Sequence, residues 1–187
     1  DQLPDQAHEF LRYMDRAARQ MDRLTTELLE HSASTASQMS LRDIDLEQAL
    51  IEACENLSHE LQNCGAQTKI TGKSCIIHAD STLLHLVLTN LLSNAIKFRE
   101  PTRPLVVNFH MSGSGRDHWR LSVADNGIGF APEHKQKILL PFHRAHHEVE
   151  GTGIGLSTCA EVCRRHNWNF TADSVVGDGA VFTVSCG

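Results

Sequence analysis

Two asparagines and a lysine lie on one face of a strongly apolar segment of the sequence. Asn90, Asn94 and Lys97 are spaced by four and three residues, which on a helix places them within an arc of about 60°. Burying two amides and an ammonium without partners costs several kcal/mol, so this face borders either water or a polar ligand. Amide oxygens suit a hard cation and a lysine suits phosphate oxygens. The stripe alone does not decide between the two.

Two glycine-rich stretches follow the stripe. The first, DNGIGF at 125–130, places the carboxylate of Asp125 at the end of a predicted strand, beside backbone that a ligand can approach closely. The second, GTGIGLS at 151–157, opens a predicted helix, where free N–H groups suit an anion such as phosphate. Glycines at turns often have only a structural role, so neither stretch is decisive alone. Neither is a Walker loop or a dinucleotide-binding loop, because no Gly-Lys-Ser/Thr follows and the second stretch is not preceded by a strand.

The elements that must position these residues follow from the periodicity of the apolar side chains. Asp45 and Asp80 each precede an apolar run and predict the starts of two helices. The predicted helices cover 45–63, 80–98, 132–139 and 154–166, and the predicted strands cover 66–72, 75–79, 104–111, 118–124, 168–174 and 180–185. This order predicts a layered α+β domain, with helices packed on a single mixed sheet.

The beginning of the chain has a different pattern. A heptad seam predicts a helix with a partner helix, and its members are Phe10, Met14, Ala17, Met21, Leu24 and Leu28. A small, polar stretch then predicts a linker. We therefore divide the chain into a helical segment at 1–32, a linker at 33–40 and an α+β domain at 41–187. Because the first residue is Asp1, we expect the chain to be a piece of a longer protein, which could carry a membrane anchor.

The composition excludes some partners. The formal net charge is −6 and there is no dense cluster of basic residues, which argues against a nucleic acid or an anionic membrane surface. No apolar stretch is long enough to span a bilayer. The six cysteines form no Cys-x-x-Cys pair and predict reduced thiols in a cytoplasmic protein. A zinc site at Cys159, Cys163 and His166 stays a weaker alternative, since no fourth ligand is evident.

Four segments, taken in order, resemble a known family. LTNLLSNAIKF (88–98), DNGIGF (125–130), PFHR (141–144) and GTGIGLS (151–157) are similar to the N, G1, F and G2 boxes of histidine kinase catalytic domains, in the superfamily of gyrase, Hsp90 and MutL. The segment at 1–32 resembles the second helix of that family's dimerisation and phosphoacceptor hairpin. The resemblance implies a Bergerat-type two-layer α/β sandwich, with a mixed sheet of about five strands covered on one face by about three helices.

The resemblance also implies a role for each matching residue. Asp125 would accept a hydrogen bond from the adenine amino group of ATP, in a pocket shaped by Gly127 and Gly129. Asn94 would ligate Mg²⁺, with Asn90 beside it. The residues implied at the phosphates are Lys97, Gly151, Thr152, Gly153, Gly155 and Leu156. Residues 130–150 would form a mobile lid, packed by Phe142, with Arg144 near the γ-phosphate.

Position 90 separates two kinds of activity. Hydrolases of the superfamily carry a glutamate base four residues before the Mg²⁺ asparagine, whereas this chain has Asn90, which cannot act as a base. We therefore expect transfer of the γ-phosphate to a protein histidine, with a response regulator as downstream partner and a homodimer in the full-length protein. An ATPase, or a binding module without kinase activity, remains the alternative.

The phosphoacceptor histidine itself is not evident in the sequence. His59-Glu60 and His8-Glu9 resemble the start of the family's acceptor box but lack its proline. We expect the acceptor to lie upstream of Asp1, and this chain to bind Mg·ATP without phosphorylating itself. The histidines at 134, 143, 146 and 147 fall in the lid, where solvated side chains are commoner than a metal or pH sensor.

Overall fold

The computed structural model describes Thr25 and residues 38–146, 148–149 and 151–187. The predicted seam at 10–28 and most of the linker at 33–40 therefore lie outside the described residues. Within the described part of the chain, no helix is long and apolar enough to cross a membrane.

The described chain alternates strands and helices around two sheets. The strands are β1 Leu41–Asp45, β2 Gln67–Gly72, β3 Ile76–Asp80, β4 Val106–Gly115, β5 His118–Asp125, β6 Asn169–Val175 and β7 Gly179–Cys186. The helices are α1 Leu46–Asn56, α2 Ser58–Asn63, α3 Ser81–Lys97 and α4 Gly155–Arg165, and two single 3₁₀ turns lie at Pro132–His134 and Lys137–Leu139.

The main sheet has the strand order β2-β4-β5-β7-β6. Only the pair β2–β4 is parallel, and the other pairs are antiparallel, so the sheet is mixed. Buried and exposed side chains alternate along its strands, as expected for a sheet that is covered on one face. In β5, for example, Trp119 and Leu121 are buried, whereas Arg120 between them is exposed. The helices pack on the covered face, which confirms the predicted two-layer α+β architecture.

Helix α3 supplies the largest share of the helical core. Its buried residues are Leu83, Leu84, Val87, Leu88, Leu91, Leu92 and Ala95. Complete burial of one such leucine contributes about 1.5–3 kcal/mol, which fixes the rotation of the helix about its axis. The helix starts at its N-cap Asp80, whose carboxylate accepts the N–H groups of Thr82 at 3.0 Å and Leu83 at 3.1 Å. The predicted cap and helix are therefore confirmed.

Three local predictions were wrong. The sheet is not single, because Leu41–Asp45 forms a strand that pairs with β3 in a separate two-stranded sheet. This strand was missed because LRDID is mostly polar and exposed. The predicted helix 45–63 is interrupted at Leu57, whose φ of −108° and ψ of 19° are not helical. The region 132–139 forms two 3₁₀ turns, not one helix.

Candidate functional site

The polar stripe of α3 faces a pocket between α3, the end of β5 and the loop before α4. Asn90, Asn94 and Lys97 all line it and are half-buried. Asn90 is held by its own helix, because its Nδ2 donates to the carbonyl of Leu86 at 2.9 Å. Its Oδ1 faces the start of α4, since a Cβ added at Gly155 would lie 2.7 Å from that oxygen. The amide of Asn90 therefore packs against the backbone of the glycine loop.

The other two members of the stripe are placed differently. Of the residues that the structure describes, none hydrogen-bonds to the side-chain amide of Asn94, which leaves its oxygen available to a ligand. The ammonium of Lys97 lies 5.2 Å from the centroid of the Phe98 ring, a cation–π contact, and it also lies against Gly151. A positive charge and an amide oxygen thus face the same space, on the side of the pocket nearest to the glycine loop.

Asp125 lies at the end of β5 and forms the other side of the pocket. Its Oδ1 accepts the backbone N–H of Gly127 at 2.8 Å and that of Ala180 at 3.3 Å. Burial raises the pKa of this carboxyl group, and the two N–H bonds oppose that effect. The neighbouring wall is apolar and consists of Phe98, Phe130, Ile138, Ala180 and Phe182. A carboxylate at the end of an apolar slot suits a flat ligand that carries a hydrogen-bond donor.

The glycine loop leads directly into α4. Its first helical residue is Gly155, and no side chain caps the helix at Ile154. Thr152 accepts the N–H of Ile154 at 3.3 Å, and the carbonyl of Gly153 accepts the N–H of Phe142 at 3.0 Å. Gly153 has a φ of +77°, which residues with a side chain rarely adopt. The uncapped first turn of α4 therefore presents N–H groups to the pocket, an arrangement that binds anions.

Two histidines from the segment that was expected to form a lid, His143 and His146, line the pocket. Nε2 of His146 donates to the carbonyl of Gly129 at 2.6 Å, and its ring lies 6.0 Å from that of Phe98. Nδ1 of His134 lies 3.0 Å from Nε2 of His143, so one of the two rings donates to the other. Sequence reasoning did not place His143 or His146 in the site. The only signal for them was their position in the segment between the two glycine-rich stretches.

The structure brings most of the predicted site residues to this one pocket. Those that line it are Asn90, Asn94, Lys97, Asp125, Gly129, Arg144, Gly151, Thr152, Gly153, Gly155 and Leu156. Gly127 instead lies behind Asp125, where an added Cβ would overlap the carbonyl oxygen of Phe98. Phe142 does not line the pocket; it is 63% exposed and has a φ of +64°. Arg144 donates to the carbonyl of Val149 at 2.6 Å, within the segment between the two glycine-rich stretches.

The alternative zinc site at the end of α4 lacks available ligands. Burial raises the pKa of Cys163 to about 12, and it also raises the pKa of the fully buried Cys159, which disfavours the thiolate form that binds zinc. Both ring nitrogens of His166 are occupied: Nε2 accepts the N–H of Asp80 at 3.1 Å and Nδ1 lies 2.8 Å from the carbonyl of Val162. In the described part of the chain, no three His, Cys, Asp or Glu side chains are grouped to hold a metal ion.

Comparison with known proteins shows that the sequence is similar to a phytochrome and to sensor histidine kinases. Cyanobacterial phytochrome A of Nostoc sp. is 32% identical over 185 residues, which are 97% of this chain and 24% of that protein. Sensor histidine kinase ZraS of Salmonella typhimurium is 28% identical over 181 residues, 96% of this chain and 38% of that protein. The chain thus spans less than two fifths of the length of either relative.

Solved structures share the fold. Full-length ShkA in complex with AMPPNP superposes with a TM-score of 0.76 at 23% identity, over 100% of this chain and 40% of that one. Mycobacterial sensor histidine kinase MprB superposes with a TM-score of 0.66 at 20% identity, over 79% of this chain and 97% of that one. Histidine kinase ThkA in complex with the response regulator protein TrrA superposes with a TM-score of 0.76 at 18% identity, over 100% of this chain and 52% of that one.

The match to a protein family covers both sides of the pocket. Residues 79–186 match the family described as histidine kinase-, DNA gyrase B- and HSP90-like ATPase. This range is more than half of the chain and includes α3, Asp125 and both glycine-rich stretches. The chain therefore belongs to the histidine kinase-, DNA gyrase B- and HSP90-like ATPase family.

Proposed function

We propose that this chain is the ATP-binding catalytic part of a sensor histidine kinase, which transfers the γ-phosphate of ATP to a protein histidine for relay to a response regulator. The observation that carries the proposal is the convergence of Asn94, Lys97, Asp125 and Gly153 on one pocket. The kinases and the phytochrome among the relatives support it, as do the AMPPNP complex of ShkA and the response-regulator complex of ThkA.

The adenine base fits the end of the pocket at Asp125. Oδ1 of this residue is already held by two backbone N–H groups, which leaves Oδ2 to accept the exocyclic amino group of adenine. The apolar wall beside it, which includes Phe98, Phe130 and Phe182, suits the faces of a purine. Guanine is disfavoured at this position, because its O6 is an acceptor and would face a carboxylate.

The triphosphate fits the end of the pocket between α3 and α4. The ammonium of Lys97 would contact phosphate oxygens, and backbone N–H groups at Gly153 and Gly155 would bind the remaining charge. The side-chain oxygen of Asn94 is a hard donor of the kind that Mg²⁺ prefers, and it faces this same space. Mg²⁺, when bound, would neutralise part of the phosphate charge. The protein's own contribution is to position the γ-phosphate and to exclude water.

The residue at position 90 favours transfer over hydrolysis. An amide cannot remove a proton from water, and Asn90 is fixed by its bond to Leu86 and by its packing against Gly155. His59, the described histidine that most resembles an acceptor, lies on α2 and contacts Asn63 instead of the pocket. We therefore propose that the acceptor histidine belongs to a helix outside this chain. We also propose that the kinase region is homodimeric and cytoplasmic, and that this chain contacts neither nucleic acid nor membrane.

Labelled ATP tests this proposal. The chain alone, incubated with Mg²⁺ and γ-labelled ATP, is expected to bind nucleotide but to gain no acid-labile phosphate. A longer chain that includes the residues preceding Asp1 is expected to gain acid-labile, base-stable phosphohistidine. Phosphohistidine on the isolated chain would contradict the placement of the acceptor. Steady-state hydrolysis that is lost in Asn90→Ala would favour an ATPase instead.

A further inference from the structure

The turn after α3 presents an arginine to the loop that follows Asp125. The carboxylate of Glu100 accepts the backbone N–H of Thr102 at 3.3 Å and its hydroxyl at 3.2 Å, and the carbonyl of Glu100 accepts the N–H of Arg103 at 3.3 Å. Prolines on both sides, at 101 and 104, further restrict this backbone. Arg103 is therefore held at the end of a fixed turn, with its side chain half-buried.

The guanidinium of Arg103 donates three hydrogen bonds, all to backbone carbonyls. Nε donates to Asn126 at 2.9 Å, and one terminal nitrogen donates to Gly127 at 3.0 Å and to Gly177 at 2.6 Å. In the described part of the chain, no carboxylate pairs with this arginine. The planar, multiply donating guanidinium is thus used to hold two loops together, a task that a lysine ammonium performs less well.

Asn126 completes the same connection from the opposite side. Its Oδ1 accepts the N–H of Val106 at 2.8 Å, and its Nδ2 donates to the carbonyl of Pro104 at 3.0 Å. The arginine of the turn therefore binds the backbone of the loop, while the asparagine of the loop binds the backbone beside the turn. Four side-chain hydrogen bonds therefore join the two segments, two donated by Arg103 and two made by Asn126. The third bond of Arg103, to Gly177, adds the turn between β6 and β7.

These bonds surround Asp125. The carboxylate accepts the N–H of Gly127, whose carbonyl is bound by Arg103. It also accepts the N–H of Ala180, the second residue of β7, the strand that follows the turn containing Gly177. Gly177 in turn donates its N–H to the carbonyl of Ile128 at 2.8 Å. Arg103 therefore fixes both of the backbone segments that orient the carboxylate.

We infer that Arg103 is a positioning residue for base selectivity: it contacts no nucleotide itself, and it holds Asp125 where the carboxylate distinguishes adenine from guanine. This inference rests on the proposed function. Arg103 does not line the pocket, and its bonds do not reach α3, Lys97 or the loop before α4. Its removal should therefore affect recognition of the base and leave recognition of the phosphates unchanged.

A comparison of ADP with GDP tests the inference, because the two nucleotides share their phosphates. Calorimetric titration gives the ratio of their affinities for the wild-type chain, for Arg103→Met, for Arg103→Lys and for a control. Arg120→Met is the control, since it removes the same charge from an exposed site on β5. The wild-type chain and the control are expected to prefer ADP. In Arg103→Met the preference is expected to fall by about tenfold, through weaker ADP binding, with a smaller fall in Arg103→Lys.

The outcomes are distinguishable. An equal loss of affinity for both nucleotides in Arg103→Met would show a general structural role and overturn the inference. Unchanged affinities for both nucleotides in Arg103→Met would overturn it as well. The proposed function would stand in both cases. A wild-type chain that binds neither nucleotide, or does not prefer ADP, would refute the proposed function and with it the role of Arg103.

Discussion

Nε2 of His166, at the end of α4, accepts the backbone N–H of Asp80, the residue that caps α3, at 3.1 Å. Because Nε2 is the acceptor, the ring proton lies on Nδ1, which donates to the carbonyl of Val162 at 2.8 Å. The ring also stacks on Trp168, with 4.2 Å between centroids. A neutral imidazole thus joins the two helices that carry the proposed phosphate-binding residues.

This contact predicts a dependence of stability on pH. Burial lowers the pKa of His166 from its ordinary value of 6.5, and the charge of Arg165 lowers it further, whereas the bond to Val162 and the charge of Asp80 oppose the shift. A histidine with a lowered pKa in the folded state stabilises the fold above the unfolded-state pKa, and this contribution is lost as the pH falls through the folded-state pKa.

Urea unfolding of the wild-type chain and of His166→Gln at about pH 7.5 and about pH 5.5 measures this contribution. We expect the wild-type chain to lose more unfolding free energy between the two pH values than the variant loses, because glutamine can still accept the N–H of Asp80 and does not titrate. Equal losses in both chains would contradict the neutral state of His166.

Asn94 should determine the response of the pocket to magnesium. Its side-chain oxygen faces the proposed phosphate site, so we expect Mg²⁺ to tighten ATP binding in the wild-type chain and to do so at least about tenfold less in Asn94→Ala. The measurement is ATP affinity with Mg²⁺ and with a chelator. Asn108→Ala, at an exposed position of β4, serves as the control and should respond as the wild-type chain does. The same response in Asn94→Ala would exclude this residue as the ligand.

Gly127 should tolerate no side chain, although it does not line the pocket. A methyl group there would overlap the carbonyl oxygen of Phe98 and lie 2.8 Å from Oδ1 of Asp125. We expect ADP binding by Gly127→Ala to be too weak to measure. Gly65→Ala is the control, because nothing lies within 4 Å of the added methyl group and only its φ of +62° is unfavourable. That variant should lose about 1 kcal/mol of stability and bind ADP normally. Normal ADP binding by Gly127→Ala would contradict the tight packing behind Asp125.

Local sequence rules were enough to predict α3 and its polar face. Asp80 before an apolar run predicts a cap, and the spacing of Asn90, Asn94 and Lys97 predicts a shared face whatever the rest of the fold does. The strand that ends at Asp125 was predictable for a similar reason, because buried and exposed side chains alternate along it. Such signals depend only on residues close in sequence.

Other parts of the site depend on residues far apart in sequence and could not be predicted. β1 is mostly polar and becomes a strand because β3 supplies hydrogen-bonding partners. Arg103 reads as an ordinary turn residue until the fold brings it to Gly177, 74 positions later in the sequence. In the sequence, His146 is one of several histidines in a polar stretch, and only folding places it against Gly129. The predicted seam at 10–28 stays a prediction.

We propose that Asp125 selects adenine in the pocket that also binds the phosphates. Calorimetric titration of Mg·AMPPNP into the wild-type chain and into Asp125→Asn tests it most directly, with circular dichroism to show that the variant is folded. We expect one nucleotide per wild-type chain and an affinity at least about tenfold weaker in the variant, because an amide replaces the charged acceptor. Equal affinities in two folded chains, or no binding by the wild-type chain, would contradict the account.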